Sequence, residues 1–215
     1  MLDLNFEILT AQPITFAAAP MIGFGLRVTH HDGEPAVQNI SLQCQLQIET
    51  LQRLYKDDEK PGLLDLFGPP HRWSQTLKTM LWTHATVNVP PFTSRVEVTL
   101  PVTCTFDFNV AATKYFAAID DGEIPLLFQF SGTIFYRGER GLQTTQISWD
   151  KEARYRMPIA VWKQMMEHYY PNSAWLCLQR DAFDSLQQYK RDHGIPTFEQ
   201  ALERLLETAA EGTTQ

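Results

Sequence analysis

Cysteine is scarce and unpaired in this 215-residue chain: Cys44, Cys104 and Cys177 are widely separated, and no CxxC pair occurs. An odd, scattered set builds neither the disulfide framework of a small secreted domain nor a thiolate zinc site, so a reducing cytoplasm is the expected setting. Long apolar runs are missing too. No stretch approaches the ~18 apolar residues a bilayer crossing requires, and no membrane span is expected. Residues 1–8 alternate in character instead of offering a charged then apolar leader, so no signal peptide is expected either. Basic charge is in deficit, with 18 Lys and Arg against 25 Asp and Glu for a formal −7. A chain without a basic surplus is poorly suited to displacing counterions from phosphates, so nucleic acid is not an expected partner. Phosphate-cradling Gly loops, a GxSxG elbow and HExxH spacing are all absent. No catalytic residue, metal ligand set or cofactor is assigned.

What the chain has in quantity is alternation. Ile40, Leu42, Cys44, Leu46 and Ile48 form one period-two stretch, and Val96, Val98, Leu100, Val102, Cys104, Phe106 and Phe108 form another. Strict alternation marks strands with one buried and one open face. Ile22, Phe24, Leu26 and Val28 give a third strand, which His30-His31-Asp32-Gly33-Glu34-Pro35 turns back into the strand at 36–49, with residues 2–9 as a neighbour. Residues 50–81 break the pattern. The charged stretch 56–62 reads as a loop, and Pro69-Pro70 precedes a short helix carrying Trp73, Leu77, Met80 and Leu81. Strands resume at 82–89 and run from Arg95 to Phe108, where Pro101 demands an edge, a bulge or a break. A helix over 109–119 follows, then a hairpin of 124–137 and 142–149 around a Gly-rich reversal.

The last third is helical. Ile159, Trp162, Met165, Met166 and Tyr169 make an apolar stripe behind Pro158. A short strand is expected at 174–178. A helix capped by Asp181 then runs through Tyr189, and a final helix begins at Thr197 with Gln200 in capping-box spacing. The fold class is therefore α+β: an antiparallel β-sheet, arranged as a sandwich, with a helical insertion near 60–81 and a C-terminal helical segment. Residues 1–157 form the β-rich part and 158–215 the helical part packed on it, one domain overall. With 44% hydrophobic residues, a chain of this length has enough apolar material to bury about 70% of its unfolded surface.

Candidate chemistry competes everywhere with a plainer role. Cys44 and Cys104 fall on the apolar side of their strands, and Cys177 between two leucines is expected to be buried as well, so all three read as core fillers. His30-His31-Asp32 with Glu34 offers metal-ligating atoms in one loop but no ligand from a second element, and a solvated turn is favoured. The acidic turns 57–59 and 120–123 lack the alternation of a calcium loop. Two features stand out as binding surfaces. The polar face Ser41, Gln43, Gln45, Gln47 and Glu49 suits water or a second protein layer, and a nearby sheet edge could accept a strand. The basic segment 137–156, with Arg137, Arg140, Trp149, Arg154 and Arg156, suits a carboxylate or an acidic partner.

Several segments resemble an uncharacterised full-length bacterial family, a domain of unknown function. They are Leu63-Leu64-Asp65-Leu66-Phe67-Gly68, Trp82-Thr83-His84, Asp121-Gly122-Glu123-Ile124-Pro125-Leu126-Leu127, Trp149-Asp150-Lys151-Glu152-Ala153 and Tyr170-Pro171-Asn172-Ser173-Ala174-Trp175-Leu176. Members of that family occur beside genes for uptake [NiFe]-hydrogenases. The resemblance implies an accessory or assembly role in hydrogenase biology, with a hydrogenase subunit or maturation factor as protein partner, and it carries no catalytic residue. The expectation is a cytoplasmic, non-enzymatic protein acting by protein–protein binding, with a homo-oligomer as a further possibility. The alternative is a small-molecule or lipid-binding sandwich, or an enzyme, using a cleft between sheet and C-terminal helices lined by Trp82, His84, Trp149, Arg154 and Trp162.

Overall fold

A computed structural model describes residues 2–30, 35–105, 110–139, 141–173 and 177–212. The chain divides into two compact units, Met1–Ser173 and Ala174–Gln215. Among the described residues the first holds eight strands: β1 (Leu4–Pro13), β2 (Met21–His30), β3 (Val37–Ile48), β4 (Met80–Val89), β5 (Arg95–Thr103), β6 (Glu123–Gly138), β7 (Gly141–Gln146) and β8 (Glu152–Pro158). They form two antiparallel sheets. One has the order β1-β2-β5; the other has β4-β3-β6-β7, with β8 also pairing with β6.

The sandwich follows from the alternation. Ile22, Phe24, Leu26 and Val28 of β2 are fully buried, as are Ile40, Leu46 and Ile48 of β3, with Leu42 and Cys44 nearly so. Opposed in two layers, these faces interdigitate through aromatics. Phe24 meets Phe128 edge-on at 5.0 Å, Trp82 at 6.2 Å and Tyr155 at 6.3 Å, while Phe6 stacks on Phe130 at 4.4 Å. Along the sides, β4 lies against β5 and β1 against β8, so the two sheets nearly close on each other. Gly132 of β6 has φ of 136°, and a Cβ there would overlap the Ser41 carbonyl oxygen of β3. Only glycine lets the two central strands approach at that point.

Two departures from simple pairing, one in β4 and one in β6, position the surface described below. Between Leu46 and Gln47 the β3–β4 register slips, leaving Trp82 as an extra residue in β4. This β-bulge buries both Trp82 and Thr83, which strict alternation would place on opposite faces. β6 is 16 residues long, and two strands share its second edge: β7 pairs with residues 133–138 and β8 with 123–129. Ile147 N donates to Gly132 O and Phe130 N to Lys151 O, so only the short excursion between those bonds leaves the sheet.

The insertion between β3 and β4 contains three 3-10 turns and two short helices, α1 (Leu64–Phe67) and α2 (Trp73–Thr76). Met80 and Leu81, expected to end a helix, instead open β4, because pairing with Ile48 and Gln47 offers them a ladder that a four-residue helix cannot match. A buried polar cluster fastens the insertion. Arg53 Nη2 donates to Glu59 Oε1 at 2.6 Å and to Asp121 O at 2.8 Å, Lys56 N donates to Glu59 Oε2 at 2.9 Å, and the hydroxyls of Tyr55 and Tyr115 meet at 2.9 Å.

β5 ends at Thr103, short of the expected Phe108; Phe106 and Phe108 lie outside the described residues. Pro101 is accommodated because β5 is an edge strand that pairs only with β2. Helix α3 (Val110–Ala117) buries Ala112, Tyr115 and Phe116. Helix α4 (Ile159–Tyr169) buries Ile159, Trp162 and Met165, and the Tyr169 hydroxyl donates to Ile14 O at 2.6 Å. The 157/158 boundary drawn from the sequence is thus the β8–α4 junction, and it lies inside the first unit.

The second unit is a pair of helices, α5 (Arg180–Asp192) and α6 (Phe198–Gly212), in contact through Phe183 and Phe198 at 5.4 Å. Gln179 precedes α5 at its N-cap, so Asp181 lies within the first turn and does not cap it. The Thr197 hydroxyl does accept from Gln200 N at 3.2 Å, as the capping spacing predicts. Cys177, expected to be buried in a strand at 174–178, is exposed, and neither it nor Leu178 is in regular structure. Residues 174–176 of that segment and the turn residues His31, Asp32, Gly33 and Glu34 lie outside the described residues. Leu178, the flanking leucine that is described, is also 39% exposed.

Candidate functional site

The outer face of the five-stranded sheet collects residues that are far apart in the chain. In register, Gln45 of β3 stands between His84 of β4 and Gln129 of β6, and Gln129 faces Glu152 of β8. Their side chains bond in a row across the strands: His84 Nε2 lies 3.2 Å from Gln45 Oε1, Gln45 Nε2 donates to Gln129 Oε1 at 3.2 Å, and Gln47 Nε2 donates to the same oxygen at 2.9 Å. Gln43, between Thr86 and Ser131, extends the uncharged strip. Amides pinned to one another leave a flat, polar surface of fixed geometry.

At one end of this strip the charges begin. Arg154 Nη1 donates to Glu152 Oε1 at 2.6 Å, and its Nε lies 3.4 Å from Glu49 Oε2. Glu152, then Glu49, hold the Arg154 guanidinium more firmly protonated than usual. Leu127, the outward residue between Gln47 and Arg154, is buried beneath these longer neighbours. A shallow groove of about 430 Å³ runs along Arg154, Tyr155 and Arg156, walled by Glu49, Gln52, Pro125 and Leu126. Among the described residues Arg156 makes no ion pair. The groove therefore offers one guanidinium oriented by carboxylates and one open to a new acceptor.

The sequence-derived candidates divide accordingly. Gln43, Gln45, Gln47, Arg154 and Arg156 share the outer face. Arg137 lies on the same face of β6 but ten residues from Leu127, the partner of Arg154, which puts it about 33 Å away along the strand. Trp149 is 93% exposed in the excursion between β7 and β8, away from that face. Arg140 lies outside the described residues. The basic segment is thus spread along a sheet edge instead of forming one patch. Gln129 was missed; its signal was a single polar residue interrupting the apolar run 124–130.

The residues proposed to line a ligand cleft do not converge. Trp82 and Trp162 pack on Phe116, at 4.9 and 5.6 Å between ring centres, beside a void of only about 10 Å³, room for one water. His84 and Arg154 lie on the outer face. Burial pushes the Cys44 and Cys104 thiols up to about 12, which leaves essentially no thiolate at neutral pH. Among the described residues no group of three or more His, Cys, Asp or Glu is placed to hold a metal, and no helix is long and apolar enough to cross a membrane.

No curated protein matches the chain. Two solved structures are similar at 11% identity. One is a protein described as late embryogenesis abundant, with a TM-score of 0.30 over 72% of this chain and 71% of that one. The other is AggA, the major subunit of aggregative adherence fimbriae type I from Escherichia coli, with a TM-score of 0.26 over 73% of this chain and 94% of that one. Likeness of that size bears on neither fold nor function. The sequence itself matches one family from residue 1 to 214, and the chain belongs to it: the family of unknown function DUF6084.

Proposed function

We propose that this chain is a non-enzymatic accessory protein that binds another protein through the outer face of its five-stranded sheet. The observation that carries the reading is the gathering of Gln45, Gln47, Gln129 and His84 into one pinned strip, which Gln43 extends and which ends in the Arg154–Arg156 groove. Side chains already locked by mutual hydrogen bonds lose little freedom when a partner covers them, and arginines beside a depression are the usual anchors of such contacts. The strip also has few charges to desolvate, as the centres of interfaces do.

The occurrence of resembling proteins beside uptake [NiFe]-hydrogenase genes makes a hydrogenase subunit or maturation factor the first partner to test, in the cytoplasm, where three unpaired cysteines are at home. Purified hydrogenase components are titrated against the chain and against a Gln45→Lys, Arg154→Ala variant, with melting followed in parallel. Binding that weakens about tenfold or more while the melting temperature holds supports the reading. Binding that is equally tight for the variant excludes this face. Absence of any binding, together with unchanged hydrogen uptake on gene deletion, excludes the hydrogenase partner.

A further inference from the structure

We propose that the α5–α6 hairpin is a docking surface for a basic amphipathic helix of a partner protein. This second surface lies in the other unit of the chain and does not depend on the outer-face reading. Among the described residues of α6 only Ala201 is buried, while Leu202 and Leu205 are each 37% exposed and Leu206 is 69% exposed. Phe198 meets Phe183 of α5 at 5.4 Å and lies under Lys190 Nζ at 5.2 Å. At about 100° per residue, Ala201 sits about 60° to one side of Phe198, and Leu202 and Leu206 about 40° and 80° to the other. One flank of the apolar stripe is therefore closed and the leucine flank is open. A pair of short helices has little core of its own, so an open leucine flank marks a place for a further element.

The border of the flank sets the chemistry of that element. Next round the helix stand Glu199, Glu203, Glu207 and Glu211, four residues apart. At that spacing they repel one another, and Glu211 meets the negative end of the helix dipole, where the last turn has no basic residue to offset it. Among the described residues none of the four forms an ion pair, and Arg204 is the single cation of α6. The column works against its own helix; cations facing it from outside turn that repulsion into attraction. A strand laid on the leucines would find no backbone ladder there, whereas a helix arrives with its backbone bonds satisfied and sets its ridges between theirs. Phe198 to Leu206 spans about 12 Å, two turns of such a helix. Its apolar side covers the leucines, and Lys or Arg along its edge meets the glutamates.

The probe is a labelled, end-capped peptide of Leu and Lys with Leu at helical three-to-four spacing, titrated to about 100 μM against the full chain by fluorescence anisotropy. Its counterpart carries Glu at every Lys. The Lys peptide is expected to bind at least tenfold more tightly than the Glu peptide, and Leu206→Gln to weaken it about tenfold with unchanged circular dichroism. Glu203→Lys with Glu207→Lys is expected to reverse the preference. Asp58→Lys with Glu167→Lys, which shifts the net charge equally at exposed positions of the first unit, is expected to stay within about twofold of wild type. The proposal is overturned if the Lys peptide fails to bind, if Leu206→Gln binds it as wild type does, or if the two charge-changed variants weaken it alike. It is also overturned if sedimentation shows a dimer that Leu206→Gln dissociates, or if phosphatidylcholine vesicles capture the chain through Leu206, since a second copy or a lipid surface is then the occupant.

Discussion

Glu59→Gln is the most telling single change to the fold. The Glu59 side chain is fully buried, and its two oxygens take Arg53 Nη2 at 2.6 Å and Lys56 N at 2.9 Å; the Arg53 side chain is 9% exposed. Glutamine keeps the shape but removes the charge that neutralises a guanidinium in a dry site. Breaking a buried pair this way costs about 3–5 kcal/mol. Arg53 also donates to the Asp121 and Leu54 carbonyl oxygens, which remain, so the lower end, about 3 kcal/mol, is expected. For a chain of this size that is a fall of about 6–12 °C in melting temperature. Urea denaturation measures the free energy, and amide exchange over 50–60 should quicken, since the pair ties that stretch to the turn at Asp121. Replacing both partners, Arg53→Met with Glu59→Met, should recover most of the loss, because no charge is then stranded. A cost under about 1 kcal/mol for Glu59→Gln, or a double variant no better than the single, would refute the reasoning.

Four further outcomes follow from the same structure. Phe24→Ala, which removes a fully buried ring touching Trp82, Phe128 and Tyr155, should cost about 3–5 kcal/mol in urea denaturation. Gln45→Ala and Arg154→Ala, both on the outer face, should each stay within about 0.5 kcal/mol of wild type, so that any loss of binding is read as a surface effect. In the native protein a thiol reagent at pH 8 should label Cys177 rapidly and leave Cys44 and Cys104 untouched until urea is added, as counted by mass spectrometry. Burial lifts both core thiols from 9.0 to about 12, so between those values the unfolded chain has lost protons that the folded one keeps, and stability falls as pH rises. Tyr55 and Tyr115 are raised by burial too and push the same way, so the urea midpoint should drop between pH 8 and pH 10.

Alternation made the faces of the strands legible but not their neighbours. Gln43, Gln45 and Gln47 had to point away from the core once Leu42, Cys44 and Leu46 pointed into it, and the structure keeps that parity from Ile40 to Ile48. Nothing local stated that β6 would lie beside β3, or that β8 would take the half of β6 that β7 leaves open, because strand order is set by long-range packing. The glutamine strip and the arginine groove are one surface only through those two pairings, with Gln129 as the shared member. Trp82 shows the opposite failure. Its place two residues from His84 puts both on one face of a regular strand, and a single extra residue in β4 sends the indole into the core while the imidazole stays outside. A bulge leaves no mark in a hydrophobic pattern that is already apolar on both sides, as Leu81-Trp82 is. The expected ligand cleft counted Trp82 and His84 in one lining. The bulge separates them, and what remains accessible on that side of the sheet is a hydrogen-bonded surface suited to covering by another protein.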